Sequence, residues 1–551
     1  MRPSHAKDSW RAIMVLAAPV VVSKLSFTAM GLVDTAMVGR LGASEQAAVG
    51  IATTYIFTCY VLGLGLIGVV NTFVAQLHGS GRPGECGVAL GHGLRLATAV
   101  GVITLVALLA SKPVFGRLGL SAAVAHHAYE YLFWRVMGLL PVFWYWTYNG
   151  FLEGLGETRG PMFISLAANG VNALLDYGLI FGVGPIPPLG VSGAGMATAA
   201  SNTFMLLCFL WMLHRPRSPW KGYGVDRIFS AMRWPLLGQM VRLGLPMGVQ
   251  FLLEIGAFLL FSIFVGQVGD APLAAHQVAL RIMSVSFMTA WGISVAATTL
   301  VGRRLGADEP EAAAAVGQRT VLLGLGFTLL CGLLFVAIPG LLAKAFSSDA
   351  SVQALATPLI AIVALAQIFD GLNIISYGAL KGAGDTRGPM WIVIVLNWAL
   401  GVPLVYWLTQ PAGLGAKGAW WGMAAVLVAQ GHWRQADKFL RDSEAIARET
   451  EDQIGLSYVM FMRGQWEKGQ GQLERSLNAY RQSLALRGAI GSPSLIAEAN
   501  WALCDAYRML GDWPKAAEHA EQAAKAWREV AKPWAGLAMN EANSSQAQSR
   551  L

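Results

Sequence analysis

The sequence predicts an all-α, polytopic membrane protein with two pseudo-symmetric lobes, followed by a tail of helical repeats. The first observation is composition: 55% of the 551 residues are hydrophobic and only 13% are charged, with a mean hydropathy of +0.50. A soluble domain carries roughly 25% charged residues. The second observation is an internal repeat, and the third is an abrupt change to charged, Ala-rich sequence near residue 424.

Eleven apolar stretches approach or exceed the roughly 20 residues that a helix needs to cross a bilayer. Six precede the polar segment 214–227, at 12–36, 47–77, 91–111, 127–150, 161–183 and 192–213. Five follow it, at 238–266, 273–301, 315–338, 352–376 and 388–409. A twelfth begins at 415–430 but runs into charged sequence, so we expect the last helix to be truncated.

Lys and Arg are concentrated in alternate loops between these stretches. The positive-inside rule then places the N-terminus and the central loop in the cytoplasm of a protein of the cell (inner) membrane. The net charge of +8 therefore reflects topology, and we expect no nucleic-acid partner. The five cysteines have no C-x-x-C spacing, so neither a disulfide framework nor a zinc site is predicted.

The internal repeat consists of four pairs of matching segments, and the two members of each pair are 225 to 228 positions apart. Their members are Pro19 with Pro246, MVGRLG with FVGQVG, GFLEGLGETRGPM with GALKGAGDTRGPM, and LGVSGA with LGAKGA. Because each copy holds an even number of spans, the copies face the same way. The predicted domains are an N-lobe (1–213), a cytoplasmic linker (214–237), an incomplete C-lobe (238–423) and a tail (424–551). Paired lobes favour alternating-access transport, although channels and flippases can also be duplicated.

The tail contains GHW, GQW and GDW at 431, 464 and 511, with small residues at fixed distances around each Trp. This pattern resembles tetratricopeptide repeats, in which small residues let paired helices pack closely. Residues 431–551 are therefore a candidate protein-binding segment. Generic Ala-rich amphipathic helices are the alternative.

Four carboxylates lie inside predicted spans, where burial of a charge is costly and usually functional. They are Asp34, Asp176, Glu254 and Asp370. A buried carboxyl group can exchange a proton for another small cation, which is the chemistry of an antiporter. Asp34 and Asp370 could also lie near enough to span ends to be simply hydrated.

Three further polar or charged residues are expected to lie near these acids. Asn172 and Gln250 each precede an acid by one helical turn, so each should share its face. Arg281 is expected to pair with Glu254 as an intramembrane cation.

Pro19 and Pro246 lie inside the first span of each lobe, where each removes a backbone hydrogen bond and permits a bend. They are candidate gating residues, and a static kink is the alternative. The aromatic run at 133–146 could cage an organic cation, but anchoring at the membrane interface is the stronger interpretation.

Residues 10–423 resemble the multidrug and toxic compound extrusion (MATE) family. VDTAMVGRLG, LEGLGETRGPM, LKGAGDTRGPM, LGLPMGVQFLLE and AAHQVALRIMSVSFM carry the resemblance. It implies a secondary transporter that exports amphipathic, often cationic compounds in exchange for Na⁺ or H⁺, without a cofactor. It also implies an N-lobe ion site at Asp34, Asn172, Asp176 and Thr198, and C-lobe acids at Glu254 and Asp370.

Two other functions are compatible with the sequence. A lipid-linked precursor flippase would have a similar architecture but a more cationic cavity. A membrane-anchored scaffold would use the tail for binding and the helical bundle only as an anchor. No enzyme motif occurs in a convincing context, so we expect no catalytic activity and no metal beyond Na⁺ at the acids.

Overall fold

A computed structural model describes residues 10–117, 121–185, 187–215, 218–347, 349–410, 413–433, 453–469, 471–491, 493–526 and 528–529. The chain divides into two compact units, Met1–Gly431 and His432–Leu551. Helices dominate the described residues of both units, which confirms the predicted fold class.

The described residues of the N-lobe form eight α-helices. They are α1 (Trp10–Val38), α2 (Ala43–Gly79), α3 (Pro83–Leu109), α4 (Lys112–Arg117), α5 (Ala122–Arg135), α6 (Leu139–Gly154), α7 (Arg159–Phe181) and α8 (Gly190–His214). Helices α5 and α6 are separated by a 3₁₀ turn at Val136–Gly138, so the predicted span 127–150 is a broken helix. Gly138 lies against α8, where an added Cβ would be 2.6 Å from Ala199 Cα. The close contact requires glycine at the break.

The C-lobe repeats this order with some changes. Its helices are α9 (Trp234–Gly266), α10 (Asp270–Gly306), α11 (Pro310–Ala337), α12 (Pro339–Phe346), α13 (Ala350–Ala383), α14 (Arg387–Val393), α15 (Val402–Thr409) and α16 (Gly415–Trp433). The segment Ile394–Gly401 between α14 and α15 is π-helical, so Arg387–Thr409 forms one continuous span. Pro19 and Pro246 lie inside α1 and α9, which continue through them.

Ten helical segments in the described residues are long and apolar enough to cross a membrane. The protein is therefore a multi-pass membrane protein. The ten include neither α5 and α6, each too short alone, nor α16. Helix α16 has 19 residues, whereas its repeat counterpart α8 has 25. Trp420, Met423, Ala424 and Leu427 of α16 are nevertheless buried in the C-lobe core.

The lobes meet through matched contacts at the C-terminal ends of α2 and α10. An added Cβ on Gly79 would lie 2.0 Å from the carbonyl oxygen of Arg303, and one on Gly306 would lie 2.0 Å from that of Gln76. Gly79 and Gly306 are repeat counterparts, as are Gln76 and Arg303. The contact is thus self-complementary, as expected about a two-fold axis.

The second unit contains antiparallel helices at Gln453–Gly469, Leu473–Ile490, Pro493–Leu510 and 513–526. Small residues lie where neighbouring helices cross: Ser476 donates a 2.7 Å hydrogen bond to the carbonyl of Gly464, and Ser483 donates one of 2.7 Å to that of Ser457. Of the small residues predicted around Trp433, Ala436 and Ser443 lie outside the described residues. The tetratricopeptide assignment and the protein-binding role of residues 431–551 stay predictions.

Candidate ion and substrate sites

The N-lobe brings together residues from three helices around Asp34. The hydroxyl of Thr198 on α8 donates a 2.8 Å hydrogen bond to Asp34 Oδ2 on α1. Asp176 on α7 lies close enough to Asp34 for their carboxyl groups to interact electrostatically. All three side chains are buried, with 3% of Asp34 and none of Asp176 exposed. Asp34 is therefore shielded from water by its own lobe.

Many polar atoms of this cluster have no hydrogen-bond partner. Among the described residues none reaches Asp34 Oδ1, either carboxylate oxygen of Asp176, or either amide atom of Asn172. Asn172 is completely buried one turn before Asp176, but its amide donates no hydrogen bond to that carboxylate. Buried polar groups without partners are rare, and each calls for a water, an ion or a functional role.

Asn202 is a further buried polar residue of α8 that was not predicted from the sequence. It follows Thr198 by one turn on α8, so the two side chains share a face. It is 8% exposed, and its Oδ1 has no hydrogen-bond partner within the described part of the chain. The four-residue spacing from Thr198 was the available signal, but an Asn in an apolar helix is not distinctive without the tertiary contact.

Arg135 at the end of α5 provides the cluster with a positive charge. Its guanidinium interacts electrostatically with Asp34 and Asp176, and donates hydrogen bonds to Thr53 Oγ1 at 3.0 Å and to the hydroxyl of Tyr131. The sequence analysis did not single out Arg135, although this residue lies inside the predicted span 127–150.

The C-lobe acids form a second, separate group. Gln250 Nε2 donates a 2.9 Å hydrogen bond to Glu254 Oε1, as the one-turn spacing predicted. Asp370 on α13 is 8% exposed and interacts electrostatically with Glu254 on α9. The charges of the two C-lobe acids, on different helices, thus influence each other.

The acids do not follow the repeat. Phe261 and Leu404 occupy the C-lobe positions that correspond to Asp34 and Asp176, and Phe27 corresponds to Glu254. Each lobe therefore has an apolar residue where the other has an acid. The duplicated scaffold carries two different polar sites rather than two copies of one.

The predicted pair between Arg281 and Glu254 is not formed. The side chain of Arg281 is exposed, and no salt bridge joins these two residues in the described structure. The buried cation near the centre of a span is Lys24, fifteenth of the 29 residues of α1. It was overlooked because the apolar sequence VVVSKLSFT around it reads as an uninterrupted span.

Lys24 lies in an aromatic cluster between the lobes. Its Nζ is 4.2 Å from the ring centroid of Trp146 on α6, 5.3 Å from that of Trp291 on α10, and 3.6 Å from Glu153 Oε1. The two indoles are nearly parallel, with an interplanar angle of 8° and centroids 6.5 Å apart. Phe27 and Phe251 contact these rings at centroid distances of 5.6 and 6.3 Å.

Two pseudo-symmetric bundles with buried acids in each lobe and polar, aromatic residues at their interface define a polytopic membrane transporter. A model of the family described as MatE matches residues 19–178 and 246–407. The chain belongs to the MATE family of transporters, which confirms the resemblance in the sequence.

Curated relatives agree with this assignment. The chain is 34% identical over 432 residues to the multidrug resistance protein NorM of Burkholderia vietnamiensis, covering 77% of this chain and 91% of the relative. It is 29% identical to the multidrug resistance protein PmpM of Pseudomonas aeruginosa, covering 80% of this chain and 94% of the relative.

Solved structures share the fold. An outward-facing multidrug resistance MATE transporter superposes with a TM-score of 0.71 at 20% identity, covering 76% of this chain and 93% of the other. The eukaryotic MATE transporter AtDTX14 superposes with a TM-score of 0.69 at 19% identity, also covering 76% and 93%. The match to the family model ends at residue 407.

Proposed function

We propose that the protein is a secondary active antiporter that exports organic, often cationic compounds in exchange for Na⁺ or H⁺. The buried N-lobe cluster is the observation that carries the proposal. Its unpartnered oxygens are acceptors of the kind that bind a proton or a hard monovalent cation. The names of the NorM and PmpM relatives support multidrug compounds as the substrate class.

The charges of the N-lobe cluster favour one coupling cation at a time. When both are ionised, Asp34 and Asp176 carry two negative charges, and Arg135 supplies one positive charge. One negative charge then remains uncompensated in a region of low dielectric constant, where an unpaired charge is strongly disfavoured. A single Na⁺ or H⁺ would neutralise it, with Thr198, Asn172 and Asn202 as polar neighbours.

The C-lobe pair has a complementary role in this proposal. Glu254 is half-buried, whereas the N-lobe acids are almost inaccessible. With Asp370 beside it, Glu254 offers negative charge to a cation within reach of solvent. Cation binding at the C-lobe pair would then stabilise one arrangement of the lobes, and cation binding at the N-lobe site would stabilise another, as exchange requires.

Pro19 and Pro246 would permit the bending that couples these sites to the lobe interface. Both lie well inside long helices. Because proline has no backbone N–H, each helix lacks one of the hydrogen bonds that would stiffen it at this point. Replacing Pro19 by Ala should slow efflux without removing organic-cation binding, if the bend serves as a gate.

The test is efflux of ethidium from cells that produce equal amounts of wild-type, Asp34→Asn or Glu254→Gln protein. Each variant should lose most of the ion-driven efflux, because each removes a charge that the coupling ion must balance. Asp226→Asn in the exposed linker is the matched control and should pump normally. Normal pumping by both acid variants would contradict the proposal.

The coupling ion and the orientation need separate measurements. Efflux from proteoliposomes with either a Na⁺ or a proton gradient would identify the ion. We propose that the N-terminus and the linker 214–237 lie in the cytoplasm, with the protein in the inner membrane. Protease accessibility of that linker in inverted membrane vesicles would test this orientation.

A further inference from the structure

We propose that Trp146, Trp291 and Glu153 form an organic-cation site between the lobes, and that the Lys24 ammonium occupies this site as a tethered competitor. This inference rests on the proposed export function and identifies where its cationic substrate binds. None of its residues is among the acids considered for ion coupling.

The residues around Lys24 form an aromatic cage of the kind that binds a cation. Aromatic faces within about 6 Å attract a cation, and tryptophan does so most strongly. Both indoles meet this distance, and Glu153 adds a carboxylate at 3.6 Å. An aromatic cage with one acid is the arrangement that recognises quaternary and planar organic cations.

The rings around Lys24 differ in exposure from aromatic rings of the N-lobe core. Trp146, Trp291, Phe27 and Phe251 are all only partly buried, whereas Phe143 and Phe151 in the N-lobe core are completely buried. The partly buried rings come from both lobes, so they lie where the lobes part during alternating access. A ligand reaching this interface would meet aromatic faces from both sides.

An amide oxygen beside the aromatic cage accepts no hydrogen bond from the described residues. Asn149 Nδ2 donates a 2.7 Å hydrogen bond to Glu153 Oε1, but Asn149 Oδ1 has no hydrogen-bond partner among the described residues. Asn149 is 2% exposed, so this acceptor is not satisfied by bulk solvent. An ammonium or N–H group of a bound cation would satisfy it.

Lys24 explains how such a site can exist without a substrate. A carboxylate buried between lobes is unfavourable without a counter-charge, and Lys24 supplies one from the same lobe. Lys381, the repeat counterpart of Glu153, interacts electrostatically with Glu153 from the opposite lobe. An incoming organic cation would replace the Lys24 ammonium at Glu153, so the carboxylate stays paired throughout.

The experiment measures ethidium binding by fluorescence anisotropy to the full-length protein in lipid nanodiscs, without an ion gradient. Lys24→Met removes the competitor and should lower the Kd about tenfold. Glu153→Gln should raise it at least tenfold. Lys112→Met is the matched control, since Lys112 is an exposed cation 5.7 Å from the Tyr129 ring, and it should leave the Kd unchanged.

An unchanged or higher Kd in a folded Lys24→Met protein would overturn the proposal. If that variant does not fold, Trp291→Leu serves instead, because it leaves the pair of Lys24 and Glu153 intact. It should raise the Kd at least fivefold, and an unchanged Kd would overturn the proposal. Because binding is measured at equilibrium, a failure of ion-coupled efflux would not affect this result.

Discussion

Thr299 of α10 donates a 3.0 Å hydrogen bond across the lobe boundary to the main-chain carbonyl of Glu153 on α6. The repeat counterpart of this contact is present as well, since Thr72 donates a 3.1 Å hydrogen bond to the carbonyl of Lys381. These two hydrogen bonds and the glycine contacts thus form a matched set on the side of the bundle where α2 and α10 end. This side also holds the start of α1.

The matched glycines make closure of this boundary sensitive to any added side chain. Gly306→Val would place Cβ about 2.0 Å from the carbonyl oxygen of Gln76, and a backbone atom in a helix cannot move away cheaply. We expect at least a tenfold loss of ethidium efflux. Gly326→Val on α11 is the control, because a Cβ added there would meet no neighbouring helix or side chain of the described residues within 4 Å. Equal efflux by both variants would show that closure does not depend on this contact.

The hydrogen bond from Thr198 to Asp34 should tune the N-lobe ion site. Thr198→Val keeps the shape but removes the donor, and hydrogen bonds to charged groups contribute about 1.5 to 3 kcal/mol. We expect the ion concentration for half-maximal efflux in proteoliposomes to change by about tenfold or more. Thr203→Val on the same helix removes a hydroxyl that bonds only to the carbonyl of Ala199, and should have little effect. The same response in both variants would exclude a specific role for Thr198.

Asn172 should stabilise the ion rather than the fold. Its amide has no hydrogen-bond partner in the described structure, so Asn172→Leu should leave the melting temperature unchanged or raise it, because an unsatisfied buried group is removed. The half-saturating ion concentration should rise about tenfold.

Asn169→Leu is the matched comparison for Asn172. Asn169 donates hydrogen bonds to the carbonyls of Ser26 at 2.8 Å and Ser165 at 3.2 Å. Its loss should lower stability by about 1 to 3 kcal/mol. A thermal shift assay distinguishes the two, and a large destabilisation by Asn172→Leu would argue for a structural role.

The tail should depend on the close approach of its helices at Gly464. An added Cβ there would lie 2.4 Å from a ring carbon of Tyr480, which is fully buried, so Gly464→Ala should destabilise the helix pair by about 1 to 3 kcal/mol. Gly488→Ala on the facing helix has open space and should be neutral or stabilising. Hydrogen exchange over residues 453–510 of the full chain measures both effects. Faster exchange in Gly488→Ala alone would contradict this packing.

The sequence predicted the repeat and the helical spacing because both depend only on the distances between residues along the chain. Apolar runs of span length predicted the long helices, and the one-turn spacing of Gln250 and Glu254 predicted their hydrogen bond. Charged residues inside a span were harder to interpret. Arg281 is exposed, whereas the overlooked Lys24 is buried, because the side that a helix presents to its neighbours depends on packing that one sequence does not show.

The sequence by itself determined the membrane location, the duplication and which acids lie inside predicted spans, since these follow from composition, periodicity and residue identity along the chain. Only the tertiary structure decided which of those groups meet. Thr198 reaches Asp34 across 164 positions of sequence, and Trp146 meets Trp291 across the lobe boundary, because helix packing rather than chain order sets those distances. The break at Gly138 also depends on tertiary structure, because Gly138 packs closely against α8.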